Sequence, residues 1–315
     1  MSSLWQSSLH YLRFGMALLL FATLIYSAGI SALIGVLMNV SLPWLCIAIC
    51  VNLIYFIIGA FNIWIVLTAL HSIPFAVFLR NYVASLVVSF FMPGQVGDSS
   101  LVLFLKRDNT PISMGSTAYL VDKLITLCLS CILAWYSCIL FLPQIHKVYF
   151  FILPIGVLLF GLLFLYAIFA YMSDFTYLAY LKSYLVNVRV QLAILANHWP
   201  ILFANFILSC LKWLTMSLFF ALTFYASGFR VPWPEIGLIP ILASLIGYIP
   251  ISVGGLGTVE YTAVYLFGLV GVGSTGVLTT YLIMRFIQYT QGFILIIIFR
   301  GKREIFRNIE AKDHE

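Results

Sequence analysis

The chain has 315 residues, of which 63% are hydrophobic and only 8% charged, and its mean hydropathy is +1.10. That composition excludes a soluble globular domain, and no stretch shows the short alternating strands of an outer-membrane barrel. The formal net charge of +6 is scattered over segment ends instead of forming a patch, so nucleic acid is not an expected partner. What remains is an all-α polytopic membrane protein.

In chain order, a short polar start to Arg13 leads into a first span over residues 14–38. Its apolar run exceeds the core of a secretory signal, so an uncleaved span is expected. Pro43 suits the first turn of the next helix, which runs to about Leu70. Residues 73–105 are too long for one span, and Pro93, Gly94 and Gly97 break them near the middle, which predicts two half-helices in a re-entrant hairpin. Residues 112–142 form a span carrying Asp122 and Lys123, and residues 149–171 a connecting span. Residues 172–199 are more polar and read as an interfacial amphipathic linker. A span from Pro200 to Ser227 carries Lys212. Residues 235–271 repeat the broken pattern around Gly254, Gly255 and Gly257, with Glu260 just beyond. The last span, residues 274–299, carries Arg285, and residues 300–315 are a charged tail. The reading is about six full spans plus two re-entrant hairpins within one transmembrane domain.

With both termini cytoplasmic and both broken segments returning to the side they left, eleven Lys and Arg lie inside. Only Lys147 and Arg230 lie outside, while Lys123, Lys212 and Arg285 stay within spans. The same topology makes residues 43–142 and 200–299 two copies of one pattern: proline-started span, broken hairpin, span. The first copy starts outside and the second inside, so the repeat is inverted, a signature of transporters with a site between the halves.

Asp122 and Lys123 lie about ten residues into their span, roughly 15 Å deep at 1.5 Å per residue. Lys212 and Arg285 lie at similar depth, so these bases and the carboxylates Asp98 and Glu260 are expected to converge near one plane. Each such charge costs roughly 2.5–3.5 kcal/mol at mid-membrane, so they must pair or meet a charged ligand. Asp122 and Lys123 point to different helix faces and so pair elsewhere. Arg285 and Lys123, with the half-helix N-termini, suit a lipid phosphate, while Asp98 and Glu260 would cap those half-helices or bind an amine, a sugar hydroxyl or a proton. The bland alternatives are structural ion pairs, plain caps, and a Lys212 that snorkels. Cys128 and Cys131 form a C-x-x-C but are expected to be buried packing thiols, and no motif supports a metal or another cofactor. There is no phosphate-binding G-x-x-x-x-G-K-[ST] either, so any coupling would be to a gradient.

Four motifs resemble the lysylphosphatidylglycerol synthase transmembrane-region family of flippase-like membrane proteins. P-G-Q-V-G-D at residues 93–98 is similar to the family's P-G-x-x-G-E, and V-D-K-L at 121–124 to its V-E-R pattern. V-G-G-L-G-T-V-E at 253–260 resembles P-G-G-L-G-x-x-E, and Y-L-I-M-R-F at 281–286 its L-Y-R-L segment. Asp98 and Asp122 shorten the family's glutamates, Val253 replaces a proline, and Thr126 stands where the family has a second acid. The resemblance implies translocation of a polar or glycosylated lipid across the inner (plasma) membrane. It also implies no synthesis of lysyl-lipid, since no soluble aminoacyl-transferase domain is recognisable, so the chain is not expected to be an enzyme. The alternatives are a membrane-embedded polyprenyl-phosphate glycosyltransferase, or a non-transporting partner of a lipid or glycan synthase.

Overall fold

The structure is a computed structural model that describes Tyr26 and residues 30–92, 96–141, 179–248 and 252–312. Most of the predicted first span, the connecting span over 149–171, and the tip residues Pro93 and Gly94 lie outside the described residues. The described chain is all helical. Helix α1 is Ile30–Met38, α2 Leu42–Thr68 and α3 Phe75–Ser89. After the break, a single 3-10 turn at Val96–Ser99 leads into α4, Ser100–Arg107. Then come α5 (Ile112–Phe141), α6 (Ala179–Asn197), α7 (Trp199–Ala226), α8 (Trp233–Ile246), α9 (Thr258–Leu269) and α10 (Ser274–Lys312).

Four of these helices, α2, α5, α7 and the 274–299 part of α10, are long and apolar enough to cross a membrane. Pro43 and Pro200 sit in the first turns of α2 and α7, where a missing N–H costs nothing. By contrast α3 has 15 residues and α8 has 14. At 1.5 Å per residue each reaches only about 21–22 Å, short of a hydrocarbon core of roughly 30 Å.

Packing follows the two halves. The most extensive helix contact is α2 against α7, which cross as the central pair. Around it, α3 packs on α4 and on α10, just as α8 packs on α9 and on α5. The contacts of α2 and α4 with α5 are likewise matched by those of α7 and α9 with α10. One apolar core gathers Phe78, Leu101, Leu105 and Val121 about the first half, and a second gathers Phe219, Phe224, Phe267 and Tyr281 about the second. Large apolar side chains such as Ile54, Phe203, Leu214 and Ile297 remain exposed, as a lipid-facing surface requires.

Two expectations gain detail and one is overturned. Helix α10 does not stop at Phe299 but runs on to Lys312, because the tail's Lys, Arg and Glu are good helix formers. The polar linker does form a helix, α6, but it is docked on α5: Gln191 accepts from the Thr117 hydroxyl at 2.7 Å, and Tyr184 and Ser116 share a hydrogen bond of 2.6 Å. The C-x-x-C is not a buried thiol pair. Cys128 is exposed and Cys131 half-buried, and of the six free cysteines only Cys138 is buried. About a third of the apolar window of α5 is buried, so most of its positions face outward, and cysteine is apolar enough to face lipid.

Candidate functional site

Each half-length helix ends where the chain breaks, and the two breaks meet. The Gly254 N–H donates to the Met92 carbonyl at 3.0 Å. Gly254 has φ +58°, and a Cβ there would lie 2.6 Å from the Phe90 carbonyl oxygen, so both the backbone and the close approach call for glycine. Phe90 in turn stacks on Tyr289 with ring centroids 4.4 Å apart, which ties the first break to α10. Gly97 is equally constrained, since its Cβ would fall 2.3 Å from the Ser89 Cα. Gly255 and Gly257 also have positive φ, and they turn the chain so that α9 starts with Glu260 in its first turn.

Two acid–base pairs lie beside these breaks. Lys123 Nζ is 2.6 Å from Asp98 Oδ2, and Arg285 Nε is 2.8 Å from Glu260 Oε1. In both pairs the base follows the acid by 25 residues. Glu260 is fully buried and has two jobs, because its Oε2 also accepts from the Gly257 N–H at 2.8 Å and caps α9. Arg285 anchors the tip as well, donating through Nη1 to the Gly254 carbonyl at 3.1 Å. Asp98 differs: its oxygen goes to Lys123, and α4 receives no side-chain cap.

Between the pairs lies a cavity of about 320 Å³. Asp98, Asp122, Lys123, Lys212, Gly254, Gly255 and Arg285 all line it, so the predicted site residues converge, with Glu260 directly behind Arg285. Tyrosines 55, 82, 119, 248 and 281 complete much of the wall. Lys212 is the loosely held charge. Its ammonium forms no ion pair among the described residues and reaches only the Thr126 hydroxyl, at 3.5 Å. The expectation that Asp122 and Lys123 part company holds in the geometry. Asp122 is 1% exposed and accepts from Asn62 Nδ2 at 2.7 Å and Asn205 Nδ2 at 3.0 Å.

The amides were missed in the sequence. Asn62 and Asn205 are completely buried, as is Asn52, which donates to Gln291. Their signal was an amide within an otherwise apolar span, weaker than a formal charge but visible in retrospect. Among the described residues no group of three or more His, Cys, Asp or Glu side chains is placed to hold a metal. Chemically the cavity offers cationic and hydroxyl donors, with Asp98 and Glu260 paired to bases and Asp122 held by neutral amides.

No curated protein and no solved structure matches this chain. The pattern of one family, described as the lysylphosphatidylglycerol synthase TM region, matches residues 11–297. That span contains both breaks, both acid–base pairs and the cavity between them, so the chain belongs to the lysylphosphatidylglycerol synthase transmembrane-region family.

Proposed function

We propose that this protein is a lipid flippase that moves a polar or glycosylated phospholipid across the inner membrane. In this reading the two helix–break–helix units are re-entrant hairpins of an inverted repeat, with both termini in the cytoplasm and about six full spans. The matched helix contacts of the two halves support the repeat, and the shortness of α3 and α8 supports the hairpins. The observation that carries the function is the cavity itself. One acid–base pair from each half, with the same 25-residue spacing, flanks it where the two breaks touch.

The route is electrostatic exchange. A headgroup phosphate entering the cavity finds the Lys212 ammonium unpaired and the guanidinium of Arg285 engaged at Nε and Nη1, and it competes with Asp98 and Glu260 for their bases. The acyl chains stay in hydrocarbon, since a cavity of about 320 Å³ takes a headgroup and not two tails. Rocking of one half against the other would then open the cavity to each leaflet in turn. The chain is read as a transporter and not an enzyme. A synthase or glycosyltransferase that makes or consumes the lipid would be its natural partner.

The test is leaflet exchange of labelled phospholipids and glycolipids in proteoliposomes. Exchange above that of empty liposomes is expected for at least one class. Arg285→Ala and Glu260→Ala are expected to abolish it, per molecule of protein reconstituted, without preventing membrane insertion. No exchange by the unaltered protein across a broad lipid panel would remove the proposal.

A further inference from the structure

Among the described residues, Asp122 is a buried carboxylate without a cation. It lies beside the cavity where α2, α5 and α7 meet, yet no described Lys or Arg nitrogen comes within ion-pair distance. Its neighbour Lys123 turns away to Asp98. Both hydrogen bonds to Asp122 Oδ1 come from neutral amides. Asn62 Nδ2 also donates to Ser209 Oγ at 2.9 Å, and Asn205 Nδ2 to the Asn62 carbonyl at 2.8 Å, so the amide donors are fully engaged. Their oxygens are not. Asn62 Oδ1 and Asn205 Oδ1 have no hydrogen-bond partner among the described residues, although both side chains are 0% exposed.

The cluster therefore has an excess of oxygen acceptors and one negative charge, on side chains that are almost fully buried. A half turn of either amide exchanges its nitrogen for its oxygen. Such a turn would bring an amide oxygen against a carboxylate oxygen, which is repulsive unless something positive lies between them. Ser209 Oγ, 3.4 Å from Thr126 Oγ1, adds hydroxyl oxygens on the same side. Leaving a buried acceptor unpaired costs about 1–3 kcal/mol, and more for an uncompensated charge, so a cation shared by the carboxylate and one amide oxygen is favoured.

We infer that Asp122, Asn62, Asn205 and Ser209 form a binding site for a small monovalent cation, a sodium ion or a proton. The cation neutralises the carboxylate and draws at least one amide oxygen inward. The charged and titratable groups facing this position are Lys212 on α7, the Lys123–Asp98 pair, and Tyr55, Tyr82, Tyr119 and Tyr248 from α2, α3, α5 and the turn after α8. Lys212 lies three residues beyond Ser209 and is the only one of these cations without a carboxylate partner. A cation that neutralises Asp122 leaves the charge of Lys212 less compensated and so strengthens its pull on an anionic headgroup, which would link ion and lipid in the same cavity. That linkage rests on the flippase reading; the ion site itself does not.

The experiment is an equilibrium one on the purified full chain in detergent, without lipid substrate. Thermal unfolding is followed against sodium at fixed pH with choline as replacement, and against pH in sodium-free buffer, together with radioactive sodium binding. Sodium as occupant predicts a sodium-dependent rise in unfolding temperature and binding of about one ion per chain. A proton as occupant predicts no sodium effect but stabilisation on acidification. Either dependence is expected to vanish in Asp122→Asn and to persist in Asp108→Asn. Asn62→Ala keeps the carboxylate and is expected to move the midpoint by about tenfold, which carries the test if Asp122→Asn fails to fold. An unaltered protein that responds to neither ion, or an Asn62→Ala variant with an unmoved midpoint, overturns the inference whether or not lipid transport is found.

Discussion

At the residue scale, the two acid–base pairs look equivalent in sequence and are not equivalent in burial. Glu260 is fully enclosed and makes both the Arg285 pair and the cap of α9, whereas Asp98 keeps 28% of its side chain exposed. Removing one partner of a buried pair leaves the other uncompensated. Arg285→Ala is thus expected to destabilise the protein by about 3 kcal/mol, and Lys123→Ala by clearly less. The double change Glu260→Gln with Arg285→Gln should recover part of the loss, because no charge is then stranded. Thermal unfolding in detergent measures all three, and equal losses for the two single variants would contradict the asymmetry. These charges were legible in the sequence because each is costly at membrane depth and so must have a reason to be there. Their partners were less so. The separation of Asp122 from Lys123 follows from helix periodicity, but the choice of Asn62 and Asn205 for Asp122 depends on how α2 and α7 cross, which no local pattern encodes.

At the element scale, what positions the site is two helices that stop early. Proline and glycine made both breaks readable, and the half-helix lengths followed from them. The meeting of the breaks was not readable, since a contact between residues 92 and 254 is a matter of packing and not of propensity. The glycines nonetheless carry the constraint. Gly254→Ala is expected to fail twice over, through a left-handed φ of +58° and a Cβ 2.6 Å from the Phe90 carbonyl. Gly228 is the matched control: its φ is +85°, but a Cβ there meets nothing within 4 Å. Gly228→Ala should therefore cost only the conformational strain, about 1–2 kcal/mol, while Gly254→Ala should cost more and also displace Arg285 from the Gly254 carbonyl. Comparable unfolding temperatures for the two variants would show that the tip contact is not tight. The exposed Cys128 makes the complementary point. Composition marks it as apolar, but which apolar residues face lipid and which face protein is decided only when helices pack.

At the scale of the molecule, the two apolar cores and the α2–α7 crossing divide the described chain into halves that touch at the cavity. The proposed flippase activity requires the halves to move, and the contact between the first break and α10 is where movement would show. Phe90 and Tyr289 stack there at 4.4 Å, and Phe91 lies 6.1 Å from Phe293 between ring centroids. Phe91 and Phe293 are both exposed, so they can be changed with little damage to the core. In a background with the six native cysteines replaced by serine or alanine, cysteines at these two positions can be bridged by a short bifunctional thiol reagent. If alternating access separates the first hairpin from α10, bridging is expected to stop lipid exchange. Each single cysteine treated with the same reagent should exchange normally, because neither position lines the cavity. The bridged protein should also keep its cation-dependent stability, since α2, α5 and α7 are untouched by the link. Bridged protein that still exchanges lipid at the full rate would mean that this contact stays closed throughout transport, and that the moving seam lies instead between α8 and α5 on the opposite side of the cavity.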